Sequence, residues 1–406
     1  MDPKKRSRPI GTALVCLGLI AVMAPAGSRS GAGMTAPSQE AGQAVMHPRP
    51  SGPIAERVAW ARSQAKANRW EKGFWLGFGI RRLMGEHSSM GWHPWGGPER
   101  RLTLDDLING RKTPIEKKIA MDQAVRGTAA SMPAEARAFA AAQREDEPER
   151  LVMKEIGILF RFTAREAEFP ADIRVSNLNL PFDLEGLPFV WAGMAESSES
   201  LAYLIPLYGR AAAEADKRSI LWAVGLHRDP AAVVPFVERI MAGRESEEIR
   251  AEAAGCLGEQ NDPKALDLLL RTIKTDLSRD VREEAVGALV EMNLPAAAEA
   301  LMSFALNGAD RRIRREAVRG LADKATPATV KLLQKISAGD KDPEIQEEAI
   351  HALADLPGRS GLPLLIDLVR THPDASIRAE AVAAIGDIGG AEAVKILTDL
   401  ARGRGR

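Results

Sequence analysis

The sequence predicts a mainly α-helical protein: an α-solenoid of helical pairs with a 32-residue period, preceded by a small α+β region. Three observations carry this. One ten-residue stretch recurs five times, always 32 residues apart: EIRAEAAGCL from Glu248, DVREEAVGAL from Asp280, RIRREAVRGL from Arg312, EIQEEAIHAL from Glu344 and SIRAEAVAAI from Ser376. A second apolar pattern with the same step lies between the copies. Residues 53–196 share neither pattern.

The chain opens on Lys4, Lys5, Arg6 and Arg8, then the apolar run Ile10–Ala24, then the small residues Ala24, Pro25 and Ala26. A basic start, a short apolar core and small residues for cleavage make a secretory signal over residues 1–26. A spanning helix needs about 20 apolar residues, and this run is shorter. The expectation is an exported protein, periplasmic or envelope-associated, with no integral span in the mature chain; an uncleaved anchor is the alternative. Residues 27–52 are rich in Gly, Ser, Pro and Ala without an apolar period, and read as a flexible linker. After cleavage Cys256 is the only cysteine, so no internal disulfide is expected and packing must supply the stability. Lys+Arg and Asp+Glu are equal at 55 each, so no net field points to nucleic acid or an acidic membrane.

Residues 53–196 read as an α+β region. PIAERVAWARSQAKA is a helix. GFWLGFGI, with Phe74, Leu76, Phe78 and Ile80 alternating, reads as a half-buried strand. RLTLDDLING suggests a short helix, and residues 133–150 a helix followed by a surface loop. MKEIGILFRF and ADIRVSNLNL read as paired strands around a turn near Phe169-Pro170, and NLPFDLEGLPFVWAG leads into the repeats.

The repeat region is placed at 197–406, with a degenerate first unit in which Leu201, Leu204, Ile205 and Tyr208 suit one helix and SILWAVGL the next. In each later unit a cap column comes first: Ser246, Ser278, Asp310, Asp342 and Asp374, whose side-chain oxygens suit a free N–H of the first helical turn. Ile249, Ala253 and Leu257, with their equivalents, are four apart and share one helix face. The partner helix is marked by Val237, Leu269, Leu301, Leu333, Leu365 and Leu397. Asp262-Pro263 and Thr326-Pro327 place a cap and an N1 proline at its start, and Leu294-Pro295 the proline alone. We call the two the motif helix and the leucine helix.

The motif of an apolar residue, Arg, a spacer, then Glu-Ala and Leu resembles the short HEAT-like repeats named after phycobilisome lyases. That resemblance covers roughly 197–406. It implies a curved right-handed solenoid with the motif helices on the concave side, and it implies no particular activity, because such repeats serve unrelated proteins. Iron-binding HEAT-repeat hydroxylases use His-Glu dipeptides as ligands, and none occurs here. The layout also resembles exported bacterial proteins in which a small N-terminal region precedes HEAT-like repeats.

Two ladders run through the copies: Arg250, Arg282, Arg314 and Arg378, and Glu252, Glu284, Glu316, Glu348 and Glu380. Their expected role is structural, each Arg pairing with a Glu of an adjacent unit. Positions where the copies disagree are the candidates for reading a partner: Glu283, Gly287, Arg315, Arg319, Glu347 and His351. Glu86, His87 and His93 are weak metal-ligand candidates, because their spacing matches no zinc pattern. Five of the seven tryptophans lie between Trp60 and Trp95, either as a small core or as a surface for sugar rings. No zinc-protease, nucleophile-elbow, P-loop or Cys-x-x-Cys signature is present. The expected function is therefore a non-catalytic exported scaffold without a cofactor, binding protein or peptide partners on the concave face. The alternatives are an envelope- or carbohydrate-binding protein acting through the Trp-rich region, and an accessory subunit of a lyase-type enzyme.

Overall fold

The computed structural model describes residues 46–47, 52–86, 88, 90, 103–109, 150–163, 168–180 and 182–402. The expected signal, residues 133–149 of the expected helix and loop, and His87 and His93 lie outside them. The described residues fall into two compact units. One holds those up to 109 together with Leu151–Ala232, and the other holds 233–402.

The first unit is built on a four-stranded sheet in the order β3-β2-β1-β4. Strands β1 (Phe74–Gly85) and β2 (Leu151–Phe162) pair antiparallel along their whole length, Phe74 opposite Phe162 and Gly85 opposite Leu151. β3 (Asp172–Asn177) extends the antiparallel pairing, and β4 (Phe189–Met194) runs parallel to β1 on the other edge. The pairing of the two expected strands is borne out. β4 is a correction: its segment, expected as a lead-in to the repeats, forms an edge strand.

β1 is buried on both faces, not one. Phe74, Leu76, Phe78 and Ile80 face one side with Ile156, Ile158, Phe160 and Phe162. On the other side Trp75 and Leu159 join Leu104, Leu178, Phe182, Leu184, Leu187, Phe189 and Trp191 in one apolar cluster. Glycines alternate into that second face because there is no room for more. A Cβ on Gly79 would fall 2.4 Å from the Met194 sulfur, and one on Gly77 2.8 Å from Leu159 Cδ2. Helix α2 (Leu104–Asn109) belongs to the Trp75 face, while α1 (Ile54–Ala67) and α3 (Ser197–Tyr208) cover the phenylalanine face. Arg57 ties these elements together, donating to the carbonyls of Gly52 (2.6 Å) and Ala192 (2.8 Å) and to Glu199 (2.8 Å). Helix α4 (Glu214–Gly225) follows, and just beyond it His227 Nε2 lies 2.9 Å from Ser200 Oγ, both buried.

Helix α5 (Pro230–Ala242) comes next. From there motif and leucine helices alternate. The motif helices are α6 (Glu247–Gly258), α8 (Arg279–Glu291), α10 (Arg311–Lys324), α12 (Pro343–Ala354) and α14 (Ala375–Ile388). The leucine helices, after α5, are α7 (Pro263–Thr275), α9 (Pro295–Asn307), α11 (Pro327–Gly339), α13 (Leu362–Thr371) and α15 (Gly390–Ala401). Every cap in the cap column forms: Ser246 and Ser278 accept from Ile249 and Val281 N–H, and Asp310, Asp342 and Asp374 from Arg312, Glu344 and Ser376 N–H. The columns headed by Ile249, Ala253 and Leu257 are buried in every copy, as are Val237, Leu269, Leu301, Leu333 and Leu365. Burying each such leucine contributes roughly 1.5–3 kcal/mol. Leu397 is only partly buried.

Neighbouring motif helices pack directly on one another, whereas leucine helices mainly touch motif helices. The column Cys256, Ala288, Gly320, Ala352 and Ala384 explains the close approach: a Cβ on Gly320 would meet Val290 Cγ2 at 2.2 Å. Cys256 is a packing residue in that column, and burial pushes its thiol pKa up.

Candidate partner-binding face of the motif helices

Each motif helix spends its apolar stripe on the core, which leaves the opposite stripe outward. On α8 the buried residues are Val281, Ala285, Val286, Ala288 and Leu289, so Glu283, Glu284 and Gly287 fall on the outer side. Because adjacent motif helices stack in register, these outward positions line up from unit to unit.

The two ladders do not pair with each other, which corrects the expectation. Arg250 pairs with Asp276 through two bonds of 2.9 Å, Arg282 with Asp310 at 3.2 Å and Arg314 with Asp340 at 2.6 Å. Their remaining donors bind backbone just before their own helix: Arg250 the Glu245 carbonyl and Arg282 that of Asp276 in the turn, and Arg314 that of Ala305 in the last turn of α9. Arg378 binds only carbonyls among these contacts, those of His372 and Pro373. The arginine column therefore staples one inter-helix turn to the next unit. The pairing does cross between units, but to aspartates that precede the motif helices. The physical reason is helical phase: Arg282 and Glu284 are two residues apart, about 200° around the helix, and leave on different sides.

The glutamate ladder is served instead by the variable positions. Arg315 Nη2 lies 3.1 Å from Glu348 Oε2, and Arg319 Nε lies 3.0 Å from Glu348 Oε1. Arg319 also reaches Glu316 at 3.1 Å. His351 Nε2 stands 2.9 Å from Glu380 Oε1, and Arg312 lies 3.6 Å from Glu283. Glu347 is exposed. Arg315, Arg319 and His351 are thus surface residues that also bridge units.

At Glu284 burial and neighbouring carboxylates act in the same direction. The Glu284 carboxyl is pushed up to about 7, first by burial and then by Glu252, Glu316 and Glu291. Burial also raises Glu316, against the opposing pull of Arg319. Gly287 sits beside this acidic stretch, and a Cβ there would meet nothing within 4 Å. At Gly255 a Cβ would approach Glu284 Oε1 at 3.1 Å. The face is therefore open and acidic near Gly287, and crowded with ion pairs from Arg315 onward.

Among the described residues no group of three or more His, Cys, Asp and Glu is placed to hold a metal. Glu86 is exposed, and its carbonyl accepts from Lys154 Nζ at 2.8 Å. Trp75 and Trp191 lie inside the first unit's core, which takes them out of any sugar-binding surface. Among the described residues no helix is long and apolar enough to cross a membrane.

Stacked helical pairs with a fixed core column and a variable outer stripe define a helical-repeat protein. A family profile for HEAT repeats matches residues 201–290, 234–322, 298–370 and 330–404, together half of the sequence, and the chain belongs to that family. Similar solved structures include the CpcE–CpcF complex of phycocyanin lyase from Nostoc sp. It is 22% identical, with 38% of this chain and 99% of that chain covered and a TM-score of 0.30. Human deoxyhypusine hydroxylase in complex with glycerol is 17% identical, with 49% of this chain and 77% of that chain covered and a TM-score of 0.23. No curated protein sequence matches the chain.

Proposed function

We propose that this protein is an exported, non-catalytic scaffold that binds a protein or peptide partner along the outer stripe of its motif helices. The observation that carries the reading is the contrast on that stripe. The core columns repeat while Glu283, Gly287, Arg315, Arg319, Glu347 and His351 differ, and the stacked helices present them as one continuous surface. The basic start and apolar run at residues 1–26 support export. The stretch around Glu284 favours a cationic side chain of the partner, because a cation there relieves repulsion among Glu252, Glu284 and Glu316.

Two variants test this. Arg315→Glu with Arg319→Glu reverses charge at the crowded end, and Gly287→Arg fills the open end, where a Cβ meets nothing within 4 Å. Capture from periplasmic extract, with partners identified by mass spectrometry, is the measurement. The expected result is a partner held by the parent chain and lost from at least one variant whose thermal unfolding is unchanged. If both folded variants bring down the same partners as the parent, this face is not the binding face.

A further inference from the structure

Arg62 and Arg210, in the first unit, differ from four other arginines there. Arg57, Arg81, Arg161 and Arg174 each have a carboxylate within 3.6 Å. Among the described residues Arg62 and Arg210 have none. Arg62, on α1, lays its guanidinium over the Phe162 ring at 5.6 Å from the centroid. Its Nη2 is shielded from solvent and has no hydrogen-bond partner. Buried donors are almost always paired, and a buried cationic donor most of all. Arg210, two residues beyond α3, is held in place by donating to the Glu168 carbonyl.

Tyr203 stands on α3, seven positions before Arg210. Its ring meets Phe160 and Phe78 edge-on, at 5.6 and 6.4 Å, on the same sheet face as Phe162. Burial pushes its hydroxyl up to about 12, while Arg62 and Arg210 are both near enough to pull the other way. The hydroxyl therefore keeps its proton and can donate. Arg62 and Tyr203 thus stand on the aromatic face of Phe160 and Phe162, whose rings offer no oxygen acceptor, with Arg210 close by.

We propose that Arg62, Arg210 and the Tyr203 hydroxyl bind an oxyanion, a carboxylate or a phosphoryl group, at the edge of the phenylalanine face of the sheet. The chemistry follows from the donor set. A guanidinium stacked on a ring is fixed in its plane and offers paired N–H groups that match two oxygens of such an anion. Two cations without a carboxylate repel a cationic ligand. A neutral sugar would leave both charges uncompensated. The site is separate from the repeat face and does not depend on the scaffold reading.

The test uses the full chain and its Arg62→Gln, Arg210→Gln and Tyr203→Phe variants. Calorimetric titration is run with inorganic phosphate and with a short peptide bearing a free C-terminal carboxylate, against the same peptide amidated. The expected result is binding of at least one anionic probe, weakened about tenfold in each arginine variant and less in the tyrosine variant. Binding of phosphate alone assigns a phosphoryl ligand, and binding of the free-acid peptide but not the amide assigns a carboxylate. Arg210 is exposed, so its variant keeps the fold intact and remains informative if Arg62→Gln unfolds. No binding of any probe at about 20 mM, roughly 2 kcal/mol at most, or equal binding by parent and Arg210→Gln, overturns the proposal.

Discussion

Glu284 and His227 are both pushed toward their neutral forms, and their linkage to pH runs in opposite directions. The Glu284 carboxyl rises to about 7, so the folded chain holds a proton that the unfolded chain has released at neutral pH. Its contribution is present below the ordinary carboxylate range and is lost as pH rises through 7. We expect Glu284→Gln to be more stable than the parent by about 1–2 kcal/mol at pH near 8, a figure reduced for partial solvent screening. The difference should vanish near pH 4, and urea unfolding at the two pH values checks it. His227 is lowered to about 4, by burial first and the nearby Arg82 second. There the unfolded chain binds the proton first. Stability is held above about 6.5 and lost as pH falls toward 4. His227→Gln should flatten that acid slope, and an unchanged slope would place the acid sensitivity elsewhere.

At the scale of the element, the turns between helices are held by the arginine column, and the helices themselves by the leucine column. Arg314→Ala removes the 2.6 Å bond to Asp340 and the bond to the Ala305 carbonyl. About 1–3 kcal/mol of stability should go with them. A double-mutant cycle with Asp340→Ala should show coupling of about 1 kcal/mol; additivity would mean that the pair stabilises nothing. Leu333 is fully buried, and Leu333→Ala should cost about 3–4 kcal/mol. Leu397 stands in the same column on α15 but is only partly buried. Leu397→Ala should cost under about 1.5 kcal/mol, and thermal unfolding of both variants measures the difference. Equal costs would mean that the column acts alike in every unit.

For the molecule as a whole, a formal net charge of zero hides strong local charge. The outer stripe is acidic near Glu284 and threaded with Arg–Glu pairs near Glu348. Association of a partner that reads the acidic stretch should therefore slow several-fold when ionic strength rises from about 0.05 to about 0.5 M. A salt-independent association rate, once a partner is in hand, would point to recognition by shape and apolar contact. Charge is placed by the order of the repeats, not by bulk composition. The same 32-residue frame that conserves the core leaves each unit free to carry a different surface.

The repeat was legible because helical structure is local. A cap, an apolar residue every four positions and a helix-starting proline act within one or two turns, so Ser278, Val281, Ala285 and Leu289 declare their roles in the order in which they stand. The antiparallel pairing of β2 with β3 around the turn near Phe169-Pro170 was also legible, whereas that of β1 with β2, strands separated by 65 residues, was not. The sequence alone thus determined the fold class, the core columns and the caps. Only the tertiary structure decided where the arginine column points, because Asp276, Asp310 and Asp340 come within reach only when neighbouring units stack. It alone added β4 to the sheet, covered the second face of β1 with Trp191 and Phe182, and brought Arg62 and Arg210 to Tyr203. Arg62 and Tyr203 are separated by 141 positions and share no spacing rule. Contacts of that kind are set by how elements pack, and packing depends on shape and volume summed over many residues rather than on any pattern along the chain.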